Sequence, residues 1–226
     1  MSRDPRPPGE NGPVEERTWV VLLPVKAAAA SKSRLQPAFD SPVRLADLVE
    51  AMRRDTVDAV RATPGVVAVV AAVDAPVSAR ALGPGVEVVV QTAPGLNSAL
   101  RDADAYAALH HPESGRVAVV GDLPALTPSA LRAVLTAAAG HARAFVPDLA
   151  GSGTTMLAVT EGPLDPAFGP GSAARHGRTA VALAAAGAAR HDVDVEQDLR
   201  NPPPSGFGPA TRAALATDAG GLRPGA

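Results

Sequence analysis

The chain has 226 residues, of which 46% are hydrophobic, no cysteine, and a net charge of −2 from 21 basic and 23 acidic side chains. This size and apolar content suit one compact domain and exclude disorder over most of the chain. The lack of cysteine excludes disulfides, thiolate metal sites and a thiol nucleophile, and the near-neutral charge argues against a broad nucleic-acid surface.

Short tails flank the predicted domain. Residues 1–13 mix proline, glycine and charge without the apolar stretch of a signal peptide, and residues 217–226 are similar, so both are predicted to be disordered. Residues 14–216 are predicted to form a single domain. Apolar runs stay far below the roughly 20 residues of a membrane helix, and together with the absence of cysteine this predicts a cytoplasmic protein without membrane contact.

The first half of the domain alternates between strand and helix patterns. Apolar runs at 19–25, 66–73, 86–91 and 117–120 predict strands that are buried on both faces, as in a parallel sheet.

Helices are predicted between and after these strands. One begins at Pro42 behind the N-cap Ser41 and carries apolar residues at helical spacing, and two more are predicted at 97–109 and 127–139. The resulting β-α-β order predicts a doubly wound sheet, whose ligands bind at the carboxyl ends of the strands.

The second half has a different rhythm. Runs at 144–147, 155–159 and 189–193 are separated by loops rich in glycine and proline, which predicts further strands, some of them antiparallel, and an acceptor-specific loop.

A cationic loop follows the first predicted strand. Only two of the 21 basic residues are lysine, Lys26 and Lys32, and both lie here with Arg34, around the small residues 27–31. Small residues allow close approach to a phosphate chain, and the cations supply charge for it. The loop has no Walker A sequence, and no Gly-x-Gly-x-x-Gly follows a predicted strand.

Carboxylates lie at two other predicted strand ends. Asp122 follows the strand at 117–120, and Asp192 and Asp194 lie at the end of the predicted strand 189–193. Carboxylate oxygens are preferred ligands of Mg²⁺, which uses few protein oxygens when phosphates supply the others. Asp122 and Asp194, the latter nearer its strand end, are the predicted pair.

Two glycine-rich segments could hold a small anion. Residues 148–155 carry two glycines with one serine and two threonines, and residues 168–172 lead through Ser172 to His176. Backbone amides flanked by glycine favour phosphate or carboxylate. The pattern leaves open whether His176 orients Ser172, binds the anion, or is a buried histidine, and no Gly-x-Ser-x-Gly elbow is present.

A set of short motifs follows one order along the domain: Pro24-Val25-Lys26, Lys32-Ser33-Arg34-Leu35, Gly95-Leu96-Asn97, Gly121-Asp122-Leu123-Pro124-Ala125-Leu126, the segment 148–154, Phe168-Gly169 with Ser172 and His176, Asp192-Val193-Asp194 and Asp198-Leu199. In these motifs and their order the chain resembles the CofC family of guanylyltransferases, which act in biosynthesis of the deazaflavin coenzyme F420. Two departures are Ser152, where the family usually has Thr, and Val195-Glu196, where it has Thr-Pro, which leaves Glu196 near the expected metal.

The resemblance implies an α/β fold like that of nucleotide-diphospho-sugar transferases, a GT-A-like three-layer sandwich with a mixed, mainly parallel central sheet. It also implies Mg²⁺-dependent transfer of GMP from GTP to phosphoenolpyruvate, with release of pyrophosphate. The product, enolpyruvoyl-2-diphospho-5′-guanosine, could pass transiently to a downstream transferase.

Positions carry over from the family as follows. Asp122 and Asp194 match the metal-binding aspartates and, with Lys26, are the expected catalytic residues. The expected nucleotide-binding residues are Lys26, Lys32, Arg34 and Asn97, and the expected phosphoenolpyruvate-binding residues are Thr154, Gly169 and Ser172.

Other readings stay open. The acceptor could be 2-phospho-L-lactate or 3-phosphoglycerate, which have similar charge and size. A sugar-phosphate or molybdopterin nucleotidyltransferase would usually carry a glycine-rich first loop, which is replaced here by Lys-Ala-Ala-Ala-Ala-Ser. A non-catalytic nucleotide-binding regulator would be expected to lack the carboxylates or the cationic loop.

Overall fold

The computed structural model describes residues 17–25, 32, 34–39, 41–74 and 82–217. The predicted N-terminal tail lies outside these residues, and so does the predicted C-terminal tail apart from Thr217, which ends the last helix. The small-residue loop 27–31 and Lys26 also lie outside them.

The described residues form the following elements. The strands are β1 (Trp19–Val25), β2 (Val66–Val73), β3 (Glu87–Val90), β4 (Gly115–Val119), β5 (Arg143–Pro147), β6 (Thr154–Val159) and β7 (Val181–Ala182). The helices are α1 (Pro42–Arg61), α2 (Leu96–His110), α3 (Pro128–Ala138), α4 (Ser172–His176), α5 (Glu196–Arg200) and α6 (Pro209–Thr217). No helix within the described ranges is long and apolar enough to cross a membrane.

The predicted helix starts are confirmed by their caps. The Ser41 hydroxyl accepts from the Val43 N–H at 3.2 Å, one residue before α1. The Thr127 hydroxyl accepts from the Ala130 N–H at 3.1 Å in front of α3. β1 and β2 have the predicted bounds, whereas β4 begins and ends earlier than its apolar run suggested.

The strands form one mixed sheet in the order β3-β2-β1-β4-β6-β5-β7. β1 pairs in parallel with β2 and β4, and β2 pairs in parallel with β3. β6 is antiparallel to both β4 and β5. The chain moves from β1 toward β2 on one side and returns to β4 on the other, so the crevice between β1 and β4 is the topological switch point at which such sheets bind ligands.

Helices cover both faces of the sheet. α1 and α3 pack against one face through residues such as Val60 and Leu135, and α2 packs against the other through residues such as Leu100. A third apolar cluster joins the first half of α1 to α5 and the segment before α6, with Phe207 and Leu199 among its members. This arrangement confirms the predicted three-layer α/β sandwich with a mixed, mainly parallel sheet.

The predicted strand at 189–193 is wrong. Its alternate residues Ala189, His191 and Val193 are buried as in a strand, but its backbone groups do not form a ladder. Instead, the Arg190 carbonyl accepts from the Leu149 N–H at 3.0 Å, and the Val193 N–H donates to the Asp122 carbonyl at 3.1 Å. Packing against surrounding loops therefore produces the same alternating burial as a strand. The strand that pairs with β5 at the sheet edge is β7.

Candidate active site

Two acidic segments meet at the carboxyl edge of the sheet. β4 delivers Asp122 just beyond its end, next to the end of β1. The hydrogen bond from the Val193 N–H to the Asp122 carbonyl then brings Asp194 alongside. The sequence prediction that these aspartates lie close together therefore holds, although the segment that supplies Asp194 is a loop.

Lys32 joins the two aspartates. Its ammonium forms ion pairs with both the Asp122 and the Asp194 carboxylate. Lys32 has φ +63°, a left-handed conformation that is uncommon for a residue with a side chain. Burial alone would lower the pKa of the Lys32 ammonium, but the charges and hydrogen bonds of the two carboxylates outweigh it and raise that pKa above its ordinary value.

The two oxygens of the Asp122 carboxylate differ in their contacts. Oδ2 pairs with Lys32, whereas Oδ1 is buried and accepts no hydrogen bond from any residue that the structure describes. A buried, unpaired carboxylate oxygen is costly unless a ligand satisfies it. Within the described residues no group of three or more His, Cys, Asp or Glu side chains could surround a metal ion. The pair fits a hard divalent cation that takes its other oxygens from substrate and water.

The backbone of the loop that carries Asp194 is held by Asp198. Its Oδ2 accepts from the N–H groups of Asp194 and Val195 at 2.8 Å each. Burial, reinforced by the charges of Asp122 and Asp194, raises the pKa of Asp192 to about 7. Lys32 pairs with Asp194, the aspartate favoured by the sequence analysis.

Glu196 does not take part in this cluster. Its carboxylate accepts from Arg200 Nε at 2.9 Å, one turn along α5. The expectation that the Val195-Glu196 departure leaves a third carboxylate near the metal is therefore not met.

A cavity of about 200 Å³ opens beside Asp122 and Lys32. Arg34, predicted to bind nucleotide, is exposed at a turn and is not among the described residues that line it. The lining residues are Pro24, Lys32, Val49, Met52, Arg53, Leu96, Val120, Gly121 and Asp122.

A second group of polar residues starts where β6 begins. Asp148 folds the preceding loop, since its carboxylate accepts from the Ser152 and Gly153 N–H groups at 3.0 and 2.8 Å. A Cβ on Gly153 would lie 2.3 Å from Asp148 Oδ2, so a side chain there would displace this carboxylate from its hydrogen bonds to the loop. The Ala173 N–H donates to the Ser152 carbonyl at 3.1 Å, which joins the two glycine-rich segments identified in the sequence.

Thr154 and Ser172 lie in this junction, and both are buried. The Thr154 hydroxyl is 2.9 Å from His176 Nδ1, and His176 Nε2 accepts from the Ala167 N–H at 3.0 Å. The His176 ring is thus hydrogen-bonded to Thr154 and to the Ala167 backbone. Gly169 has φ +116°, a conformation that side chains rarely adopt.

Asn97 faces the same junction. Its amide is bracketed by the backbone of Phe168: Nδ2 donates to the Phe168 carbonyl at 3.1 Å, and Oδ1 accepts from the Phe168 N–H at 2.8 Å. The start of α2 is thereby tied to the Phe168-Gly169 segment. A contact between Asn97 and the guanine base stays a prediction, and any such contact would have to use the remaining hydrogen-bonding capacity of this amide.

Comparison with known proteins identifies the family. A family model described as "Guanylyl transferase CofC like" matches residues 19–184. The chain belongs to this family. Its CofC relatives include the phosphoenolpyruvate guanylyltransferase of Streptomyces coelicolor, which is 43% identical over 205 residues covering 88% of this chain and 96% of the relative.

A second CofC relative, the phosphoenolpyruvate guanylyltransferase of Thermomonospora curvata, is 43% identical over 217 residues, covering 93% of this chain and 94% of the relative. These matches make this CofC-family chain a nucleotidyltransferase.

Solved structures support the fold of this CofC-family chain. A protein of Desulfovibrio desulfuricans G20, provisionally named a nucleotide-diphospho-sugar transferase, aligns with TM-score 0.67 and 14% identity over 89% of this chain and 95% of its own. A 4-diphosphocytidyl-2C-methyl-D-erythritol synthase aligns with TM-score 0.55 and 13% identity over 89% of this chain and 100% of its own.

Sequence reasoning missed Arg53 in this CofC-family site. This arginine of α1 is buried, lines the cavity, and donates from Nη1 to Glu50 Oε1 at 2.6 Å. The signal was present, because Arg53 lies four residues after Val49 and therefore on the apolar side of the helix.

Proposed function

We propose that this protein transfers GMP from GTP to phosphoenolpyruvate in a Mg²⁺-dependent reaction. The products are enolpyruvoyl-2-diphospho-5′-guanosine and pyrophosphate, and the reaction serves coenzyme F420 biosynthesis in the cytoplasm. The names of the CofC relatives support phosphoenolpyruvate as acceptor. The motifs described above support GTP as donor.

One observation carries the proposal: a charged site and a hydroxyl site adjoin at the same sheet edge. Asp122 and Asp194 meet beyond β4, and the Val120 N–H donates to the Thr155 carbonyl at 3.0 Å, so the start of β6 lies beside them. A donor bound at the charged site would face an acceptor bound near Thr154. Such alignment is what nucleotidyl transfer chiefly needs.

The reaction needs no general base from the protein. The second pKa of a phosphate monoester is near 6, so the acceptor phosphate already carries a nucleophilic anionic oxygen at neutral pH. That oxygen attacks the α-phosphorus of GTP, a new P–O–P bond forms, and the bond between the α- and β-phosphates breaks to release pyrophosphate. Orienting the two anions and offsetting their charge is the remaining task.

Asp122 and Asp194 would hold the Mg²⁺ ion, and this assignment is supported by Asp122 Oδ1, which is buried and has no partner in the described part of the chain. When bound, Mg²⁺ supplies charge neutralisation for the phosphate oxygens. Lys32 provides the counter-charge of the carboxylates in the protein alone. With a cation bound there, the Lys32 ammonium would be available to offset charge on the triphosphate, together with Lys26 and Arg34.

The acceptor site would use neutral donors. The Thr154 and Ser172 hydroxyls can donate to the carboxylate or phosphate of a small anion, and Gly169 lets the backbone approach closely. Asn97, tied to Phe168, would link this site to the nucleotide side. The product could then pass to a downstream transferase.

A substrate panel tests the proposal. Purified protein with Mg²⁺ is given GTP, ATP or CTP, each with phosphoenolpyruvate, 2-phospho-L-lactate or 3-phosphoglycerate, and pyrophosphate release is measured. We expect release with GTP and phosphoenolpyruvate that stops when Mg²⁺ is chelated. Product from 2-phospho-L-lactate alone would contradict the acceptor assignment, and equal use of ATP or CTP would contradict the guanine assignment.

A further inference from the structure

His176 lies behind the acceptor site rather than in it. It ends α4 and is only 1% exposed. Its ring is enclosed by the aromatic rings of Phe168 and Phe145, with centroids 5.1 and 6.0 Å away. A ring so enclosed is not available to touch a substrate, so any effect on the reaction must act through the groups it contacts.

The contacts of the ring define its tautomer. A backbone N–H can only donate, so Nε2, which lies 3.0 Å from the Ala167 nitrogen, must accept and carries no hydrogen. A neutral imidazole then has its hydrogen on Nδ1. Nδ1 is 2.9 Å from the Thr154 oxygen, so the ring donates to that hydroxyl.

The ring stays neutral under ordinary conditions. Burial, together with the positive charges of Arg143 and Arg175, lowers the pKa of His176 to about 4, against a smaller opposing effect of Asp165. A hydrogen added at Nε2 would also meet the Ala167 N–H directly. The Nδ1–H tautomer therefore persists throughout the neutral pH range.

This tautomer controls the direction of the Thr154 hydroxyl hydrogen. Because the Thr154 oxygen accepts from Nδ1–H, its own hydrogen cannot point toward the ring. Among the described residues, the Thr154 hydroxyl has no other hydrogen-bonding partner than His176. The hydroxyl therefore keeps one hydrogen for a group outside these contacts.

We propose that His176 is a positioning residue that turns the Thr154 hydroxyl into a fixed donor toward the anionic acceptor. The inference rests on the proposed function, because that function assigns Thr154 to acceptor binding. The oriented hydroxyl favours an acceptor group that only accepts, such as a carboxylate or phosphate oxygen, over one that must donate.

Nitrogen NMR of the wild-type enzyme tests the tautomer without any assay of activity. His191 is a built-in control, because its Nε2 lies 3.0 Å from the Asp198 carbonyl and must donate to it. At neutral pH we expect His176 to be protonated at Nδ1 and unprotonated at Nε2, whereas His191 is protonated at Nε2. A His176 ring with its hydrogen on Nε2 would overturn the inference.

Two matched variants test the effect on the acceptor. The amide nitrogen of Asn overlays Nδ1 and can still donate to Thr154, whereas the amide oxygen of Gln overlays Nε2 and can still accept from Ala167. We expect His176→Gln to raise KM for phosphoenolpyruvate about tenfold. His176→Asn should raise it clearly less, and KM for GTP should change little in either variant.

The outcomes separate the possible failures. A larger effect in His176→Asn than in His176→Gln would overturn the inference, since the ring would then act by holding the Ala167 segment. Equal KM values in both variants and the wild type would also overturn it. Failure of the proposed function can be told apart from failure of this inference, because in that case the wild type itself would not use phosphoenolpyruvate. If a variant does not fold, as judged by circular dichroism, the wild-type NMR result decides.

Discussion

The two parts of the site are built in opposite ways. Around Asp122 the groups are ionised, one Asp122 carboxylate oxygen has no partner among the described residues, and the Asp194 side chain is 54% exposed. Around Thr154, the groups are neutral and buried, and the histidine has a partner for each ring nitrogen. We expect a charged ligand to complete the first part, whereas the hydrogen bonds of the second are already formed.

This difference suggests a division of labour. An unpaired charge binds strongly but discriminates little, because many phosphates and cations can satisfy it. A buried, neutral hydroxyl with a fixed hydrogen discriminates by geometry, because a mismatched group leaves it unsatisfied. We expect substitutions in the charged part to act on turnover or on GTP binding, and those in the neutral part to act on acceptor affinity.

The largest effect is expected from Asp122→Ala. This change removes the buried oxygen assigned to the cation and one partner of Lys32, so pyrophosphate release should fall by more than about a hundredfold. A steady-state assay with GTP, phosphoenolpyruvate and Mg²⁺ checks it, with circular dichroism as the control for folding. Turnover within tenfold of the wild type would contradict the metal assignment.

Acid should weaken the neutral part. The pKa of His176 is about 4 in the folded protein and 6.5 ordinarily, so the unfolded chain binds this proton more readily. The contribution of His176 to the free energy of unfolding is complete above pH 6.5 and falls by about 3 kcal/mol as the pH drops to 4.

Urea unfolding of the wild type and His176→Gln over this pH range isolates that effect. As the pH falls, the wild type should lose free energy of unfolding relative to His176→Gln, because only the wild type carries the histidine that takes up a proton on unfolding. A difference that is independent of pH would contradict the neutral, buried state of the ring.

Lys32→Ala should raise KM for GTP by roughly thirtyfold, the effect of losing a charge-assisted hydrogen bond. Arg34→Ala is the matched comparison, and its effect should be smaller because Arg34 is exposed and lies outside the cavity lining. Titrations of GTP at saturating acceptor measure both. Equal effects would mean that the pairing of Lys32 with the two aspartates has no special role.

The smallest effect is expected from Glu196→Ala. Glu196 pairs with Arg200 along α5, and such a pair contributes about 0.5 kcal/mol to stability. Turnover and the Mg²⁺ concentration for half-maximal rate should equal those of the wild type. A higher Mg²⁺ requirement would place Glu196 in the charged part after all.

Much of the fold and of the charged part of the site could be predicted from the sequence. The apolar runs predicted β1 and β2, and the caps Ser41 and Thr127 predicted helix starts, because both signals are local. The meeting of Asp122 with Asp194 was also predicted, from the convergence of strand ends in such sheets, although Asp194 is in fact supplied by a loop.

The sequence failed where partners come from distant loops. The segment 189–193 has strand-like burial, but its hydrogen bonds go to Leu149 and Asp122. Spacing left open whether His176 orients Ser172, binds the anion or is a buried histidine, and only the fold shows that its ring is buried against Thr154, 22 positions away. The two hydrogen bonds between the Asn97 amide and the Phe168 backbone span 71 positions and likewise have no local signature.

The most direct test of the two-part account compares Asp194→Asn with Thr154→Val in saturation curves for phosphoenolpyruvate at fixed GTP and Mg²⁺. We predict that Asp194→Asn shows a strongly reduced rate at every acceptor concentration, and therefore a reduced kcat. Thr154→Val should instead reach a kcat close to that of the wild type, but at phosphoenolpyruvate concentrations that are about tenfold higher or more. Recovery of Asp194→Asn by excess acceptor, or an equally reduced kcat in Thr154→Val, would contradict the account.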